Sequence, residues 1–235
     1  MRVSTSISTN VSTTTNLQGS SHTAQAPPVG QQIQQVLFGR PIPRVVDPAD
    51  FPELAAMLRR LGGFKKRILN MVGETDDDGA YDILLAEGNL AMIDGDAKIY
   101  LGVDFVAANL SQEEVLVGAL AHEIGHRPKR WRALQHQVRR QLTKEEVDAI
   151  CRHEETRADI VAGKALAELG MRWEPLAEFL LRHETGPHPQ YFPAAVRAEV
   201  IRDAHTGRGY RAGQRKRLFP GFDRNTSPRN HIGDF

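Results

Sequence analysis

The chain has 235 residues, 40% of them hydrophobic, and its 30 Lys plus Arg against 29 Asp plus Glu leave a formal net charge of +1. That is enough apolar material for a sizeable core, and the charge balance supplies no overall field to draw nucleic acid. A single cysteine, Cys151, excludes an intramolecular disulfide and a cysteine-rich metal module, so any metal must be held by His and carboxylate. No run approaches the roughly 18 to 20 apolar residues of a membrane span, and the first residues lack the apolar centre of a secretory signal. The expectation is a soluble, cytoplasmic protein.

Residues 1–40 are dominated by Ser, Thr, Asn and Gln, and no acidic residue precedes Asp47. Such an arm buries too little to fold alone and is expected to be disordered. Its composition also resembles the starts of effectors secreted by type III systems, which is the alternative to a cytoplasmic location. A first helix is predicted from Asp50, with Glu53 and Pro52 in its first turn, to Arg60, stopped by Gly62 and Gly63. "FKKRILNMV" reads as a second. Three short β-rich runs, "YDILLAE", "NLAMI" and "AKIYLGV", are separated by Gly88-Asn89 and Asp94-Gly95, which predicts an antiparallel meander. Ser111 with Glu114 predicts a capping box for a helix that carries "LAHEIGH" to His126, before Pro128. Thr143 with Glu146 opens a longer helix that ends at Leu169 before Gly170, and two more helices follow near Pro175 and over "AAVRAEVIRDAH". The predicted fold is thus one α+β domain over residues 41–206, followed by a basic tail over residues 207–235.

"LAHEIGH" places His122 and His126 four apart, one above the other on one helical face, with Glu123 beside them. That geometry suits zinc, and a catalytic zinc wants a third protein ligand. The second long helix offers "EETRADIVAG", in which Glu155 and Asp159 are four apart and share a face. One can bind metal while the other fixes a ligand imidazole by a hydrogen bond. Glu155 is assigned to the metal and Asp159 to the imidazole. Glu154 is the alternative ligand, although it is turned about 100° from Glu155. Cys151, one turn before Glu155, is read as a small apolar filler.

"GALAHEIGH" followed by "EETRADIVAGKALAELG" resembles the gluzincin zinc peptidases, specifically the prenyl-protein (CAAX) endopeptidase-like family and its small soluble relatives, the minigluzincins. The likeness covers about residues 81–205, because the upstream strands and the downstream "GMRWEPLAEFLL", "HP" and later Arg follow the family's order. It implies a zincin-like domain, a small antiparallel or mixed sheet with the His-Glu-x-x-His helix packed against a second metal-binding helix. It also implies one zinc per chain on His122, His126 and Glu155, with Asp159 supporting a ligand. His188 of the His-Pro dipeptide becomes the candidate for stabilising an oxyanion, with Tyr191 its rival. Two departures, the missing membrane helices and the short gap from His126 to Glu155, point to the minigluzincin end of the family. A third, the long separation of Arg197 from His188-Pro189, leaves Arg197 without an assigned role. In minigluzincins a C-terminal segment can fill the cleft, which makes the tail a candidate for self-inhibition and His231 for an added ligand.

The expected activity is zinc-dependent hydrolysis of a peptide or protein substrate, with metal-activated water and Glu123 as general base. An edge strand over "GNLAMI", with Asn89, Leu90 and Ala91 as the binding residues, would hold the extended substrate. Nucleic acid is not an expected partner. The competing reading is a metal-stabilised interaction module, or an exported effector without proteolytic activity.

Overall fold

The computed structural model describes residues 26–76, 79–133, 139–183 and 186–208. Most of the expected arm, and nearly all of the tail with His231, lie outside these. The fold is α+β, with helices packed around a small mixed sheet.

Residues predicted to be part of the arm form helix α1, Val29–Phe38. Ile33 and Phe38 are buried on the core and the helix packs against the later helices over Pro128–Ala133 and Lys144–Glu168, so tertiary contact stabilises a helix too short to form alone. Helix α2 spans Pro52–Val72 without a break, where two helices are predicted. Leu54, Leu58, Leu61, Ile68 and Leu69 form one buried stripe that continues past Gly62 and Gly63. Burial of that stripe outweighs the roughly 1 kcal/mol that each internal glycine costs. The helix stops at Gly73, whose φ of 68° allows the Glu74 N–H to reach back to the Leu69 carbonyl.

The strands β1 (Ile83–Ala86), β2 (Ala91–Ile93) and β3 (Ile99–Gly102) are arranged in the order β1-β3-β2. The β2–β3 hairpin at Asp94-Gly95 is as predicted, but β1 runs parallel to β3, so the sheet is mixed and not a meander. At Gly88, with φ 92°, the chain crosses the end of β3, so close that a Cβ on Gly102 would lie 2.1 Å from the Gly88 carbonyl oxygen. Residues 44–46 cover the outer edge of β1, with hydrogen bonds joining Val46 to Leu85 and Glu87 to Arg44. The outer edge of β2 has no strand against it among the described residues.

Helix α3 (Val103–Ala108) leads to α4 (Glu113–Gly125), which begins at Gln112 without a side-chain cap. The predicted Ser111–Glu114 box does not form, because the Glu114 carboxylate pairs with Arg172 at 3.3 Å. A short α5 (Pro128–Ala133) precedes α6 (Lys144–Glu168), where the Thr143–Glu146 box is present in both directions. Helices α7 (Glu174–His183) and α8 (Ala194–His205) then pack against α4 and α6. No helix among the described residues is long and apolar enough to cross a membrane.

Candidate metal centre

Helices α4 and α6 approach each other closely because of Gly125, where an added Cβ would lie 2.8 Å from the Ala158 Cα and 3.2 Å from the Val161 Cβ. Neither α-carbon nor branched side chain can give way as the end of a flexible chain could. We expect Gly125→Val to force the helices apart, costing about 3 kcal/mol in chemical denaturation and weakening metal binding. Gly118→Ala is the contrast: it meets only the flexible end of Leu176.

The close crossing brings three candidate ligands together. The His122 Nε2 lies 3.1 Å from the Glu155 Oε2, and the His126 Nε2 lies 3.7 Å from the Glu155 Oε1. Together they form a group whose ligand atoms all lie within 4.8 Å of one another and which could hold a metal ion. The two imidazoles stand edge to face with centroids 4.9 Å apart. Asp159 is 2% exposed, and its Oδ1 lies 3.0 Å from the His122 Nδ1, leaving Nε2 to face Glu155. Sequence spacing gives two pairs, His122 with His126 and Glu155 with Asp159, and the structure brings the two pairs together. Glu154 points elsewhere: it accepts from the Trp131 indole at 3.1 Å and from Arg157 at 2.7 Å. Arg157 also donates to the His126 carbonyl at 3.2 Å, tying the end of α4 to α6.

Arg197, to which the sequence assigned nothing, proves to be part of the site. From the first turn of α8 its Nε and Nη2 donate to both Asp159 oxygens at 2.8 Å each. Burial alone would raise the Asp159 carboxyl, but the Arg197 guanidinium, then His122, hold it down to about 2. For His122, burial works to lower the imidazole, while hydrogen bonds to Asp159 and Glu155 and their charges push it up to about 10. Burial dominates at His126 and lowers it. Its ring edge meets Phe38 of α1 with centroids 6.3 Å apart, and its buried Nδ1 has no partner among the described residues.

Glu123 is 9% exposed and, among the described residues, no hydrogen-bond donor reaches its carboxylate. The loop at residues 186–193 places Tyr191 near Glu155 and Glu123, whose charges act on its hydroxyl. His188 is exposed with its ring against Tyr191, centroids 4.9 Å apart, and it is not among the groups that touch the metal ligands. Asn89 is exposed and Leu90 and Ala91 are half-buried, next to or within β2, which packs against α4. Cys151 is buried, and burial, then the Glu155 charge, push its thiol up to about 12, which makes it inert at neutral pH. Compared with family models, curated proteins and solved structures, the chain matches none.

Proposed function

We propose that the protein is a zinc-dependent metalloendopeptidase. The observation that carries this reading is the meeting of two imidazoles and a carboxylate beside a second carboxylate, Glu123, that no hydrogen-bond donor reaches among the described residues. Tetrahedral zinc with bonds near 2.0–2.2 Å needs donor atoms roughly 3.4 Å apart; each imidazole lies near that distance from one Glu155 oxygen, 3.1 Å to Oε2 and 3.7 Å to Oε1, and one ligand atom from each residue fits within 4.8 Å of the others. The donor set of two nitrogens and one oxygen is also that of a catalytic rather than a closed structural site. What zinc supplies when bound is Lewis acidity toward a peptide carbonyl and toward water.

The chain's own residues do the rest. Asp159 holds the His122 tautomer, and Arg197 holds Asp159. Glu123, nearly buried and without a hydrogen-bond donor among the described residues, would take a proton from water and return it to the leaving amine. An extended peptide would pair with the open edge of β2. Leu90 and Asp94 bond to β3 through their backbones, so by antiparallel alternation Asn89, Ala91 and Ile93 face the open side.

The test is metal analysis of the purified chain together with cleavage of a peptide library before chelation, after it, and after zinc is restored. One zinc per chain with cleavage that follows the zinc supports the reading. One zinc per chain and no cleavage would leave the interaction module, and no zinc would remove both. A pH dependence is also expected. Without metal, His122 keeps its proton up to about pH 10, and zinc must displace it. Zinc affinity should therefore rise about tenfold per pH unit from 7 to 9, measured by competition with a chelating dye.

A further inference from the structure

Surface arginines such as Arg44, Arg60 and Arg140 pair with Glu87, Glu113 and Glu146. Arg40 is also exposed, yet among the described residues no carboxylate lies within ion-pairing distance of it. Its Nη2 donates instead to the Tyr191 Oη at 3.1 Å, and its charge interacts with those of Glu155 and Glu123. It therefore stands at the rim of the metal-ligand group.

Its place is fixed from both sides. Phe38, two residues earlier, is buried against His126, and the Gly39 N–H closes α1 on the Gln35 carbonyl. Pro41 follows, which holds Arg40 to extended backbone, and Pro43 stiffens the segment beyond. A cation that merely complemented the end of α1 would need no partner on the opposite loop. Because the Tyr191 oxygen accepts from Arg40, its own proton is available to another acceptor. Burial, then the Glu155 charge, push that hydroxyl up to about 12, so it remains a donor. The charges also add up in one direction. Asp159 is balanced by Arg197, and Glu123 with Glu155 would balance a divalent ion, leaving Arg40 as the surplus positive charge.

We propose that Arg40 and the Tyr191 hydroxyl form a recognition site for a carboxylate of the peptide substrate, from an acidic side chain or from the chain's C-terminus. The peptide nature of the ligand rests on the metallopeptidase reading; the anion preference rests on Arg40 and Tyr191.

The test uses the full chain loaded with zinc and carrying Glu123→Gln, so that binding is read without turnover. Three peptides with one apolar core and a neutral fluorophore are compared by anisotropy: one with an internal Asp and an amidated end, one neutral with a free C-terminal carboxylate, and one neutral and amidated. One of the first two should bind about tenfold tighter than the third or better, and which one does identifies the source of the carboxylate. Arg40→Gln should erase that preference, Arg40→Lys should keep part of it, and Arg44→Gln should leave it intact. In turnover with Glu123 restored, the preference should appear in KM. Equal binding of all three peptides overturns the proposal. So does an Arg40→Gln effect confined to kcat and equal for all three, which would assign Arg40 to the reaction rather than to recognition. If the wild type cleaves none of them while holding one zinc, the peptidase reading fails, and the binding comparison still decides the role of Arg40.

Discussion

Glu123→Gln should retain one zinc per chain and lose peptide cleavage by about a thousandfold, within the roughly 10²–10⁴-fold that a positioned general base contributes. The carboxamide has nearly the shape of the carboxylate but cannot take up the proton. Because no donor reaches the Glu123 carboxylate among the described residues, the exchange breaks no hydrogen bond that orients a ligand. His122 stays on Asp159 and Glu155 stays between the imidazoles. Zinc content by metal analysis, thermal stability and cleavage rate should therefore separate, with only the last affected. A variant that cleaves as fast as the wild type would remove Glu123 from the chemistry; one that loses zinc would show it to be part of the ligand set.

Arg197→Met should cost about 3 kcal/mol in denaturant unfolding of the metal-free protein, because it takes the two-point guanidinium contact from the buried Asp159 carboxylate and leaves it only the single His122 contact. Arg197 is itself 17% exposed in its side chain, so water can reach part of the vacated space and the loss should not exceed that figure greatly. The sign with pH follows from Asp159. Its carboxyl is held down to about 2 in the fold and returns to an ordinary value near 3.9 when unfolded. The pair's contribution is thus fully present above about pH 4 and lost as pH falls toward 2, and the wild-type and variant stabilities should converge there. Zinc affinity should also fall, by about 10–100-fold, since Asp159 would be less firmly held against His122. Adding Asp159→Asn to Arg197→Met should recover part of the stability, since the buried charge that has lost its stronger partner is gone. If the double variant is no more stable than the single one, the cost lies in lost packing and not in the buried charge.

The local elements whose signals lie within a few residues were legible in the sequence. The Thr143–Glu146 box, the stop at Gly170 and the Asp94-Gly95 hairpin each depend on neighbours in the chain, and each is present. Where prediction and structure part, a distant partner intervened. Arg172 takes Glu114 from the expected cap, the core stripe carries α2 through two glycines, and the crossing at Gly88 sends β2 to the far side of β3. Helix α1 carries a clear apolar stripe of its own, at Val29, Ile33, Val36 and Leu37, but the stripe is short and sits at the end of an otherwise polar arm, so only the surface beneath it shows that it folds.

The candidate site divides along the same line. The four-residue spacing of a helix by itself put His122 with His126 and Glu155 with Asp159, because the period of the backbone fixes which side chains share a face. Which face meets which, and who else joins, is a matter of packing between helices. Only the contact of α4 with α6 at Gly125 brings Glu155 to the histidines and turns Glu154 to Trp131 and Arg157. Only the docking of α8 delivers Arg197 to Asp159, and only the path of α1 across the core sets Phe38 on His126 and Arg40 on Tyr191. These pairs lie 38, 88 and 151 residues apart in the chain, where no local rule reaches, and burial against a shared core decides them.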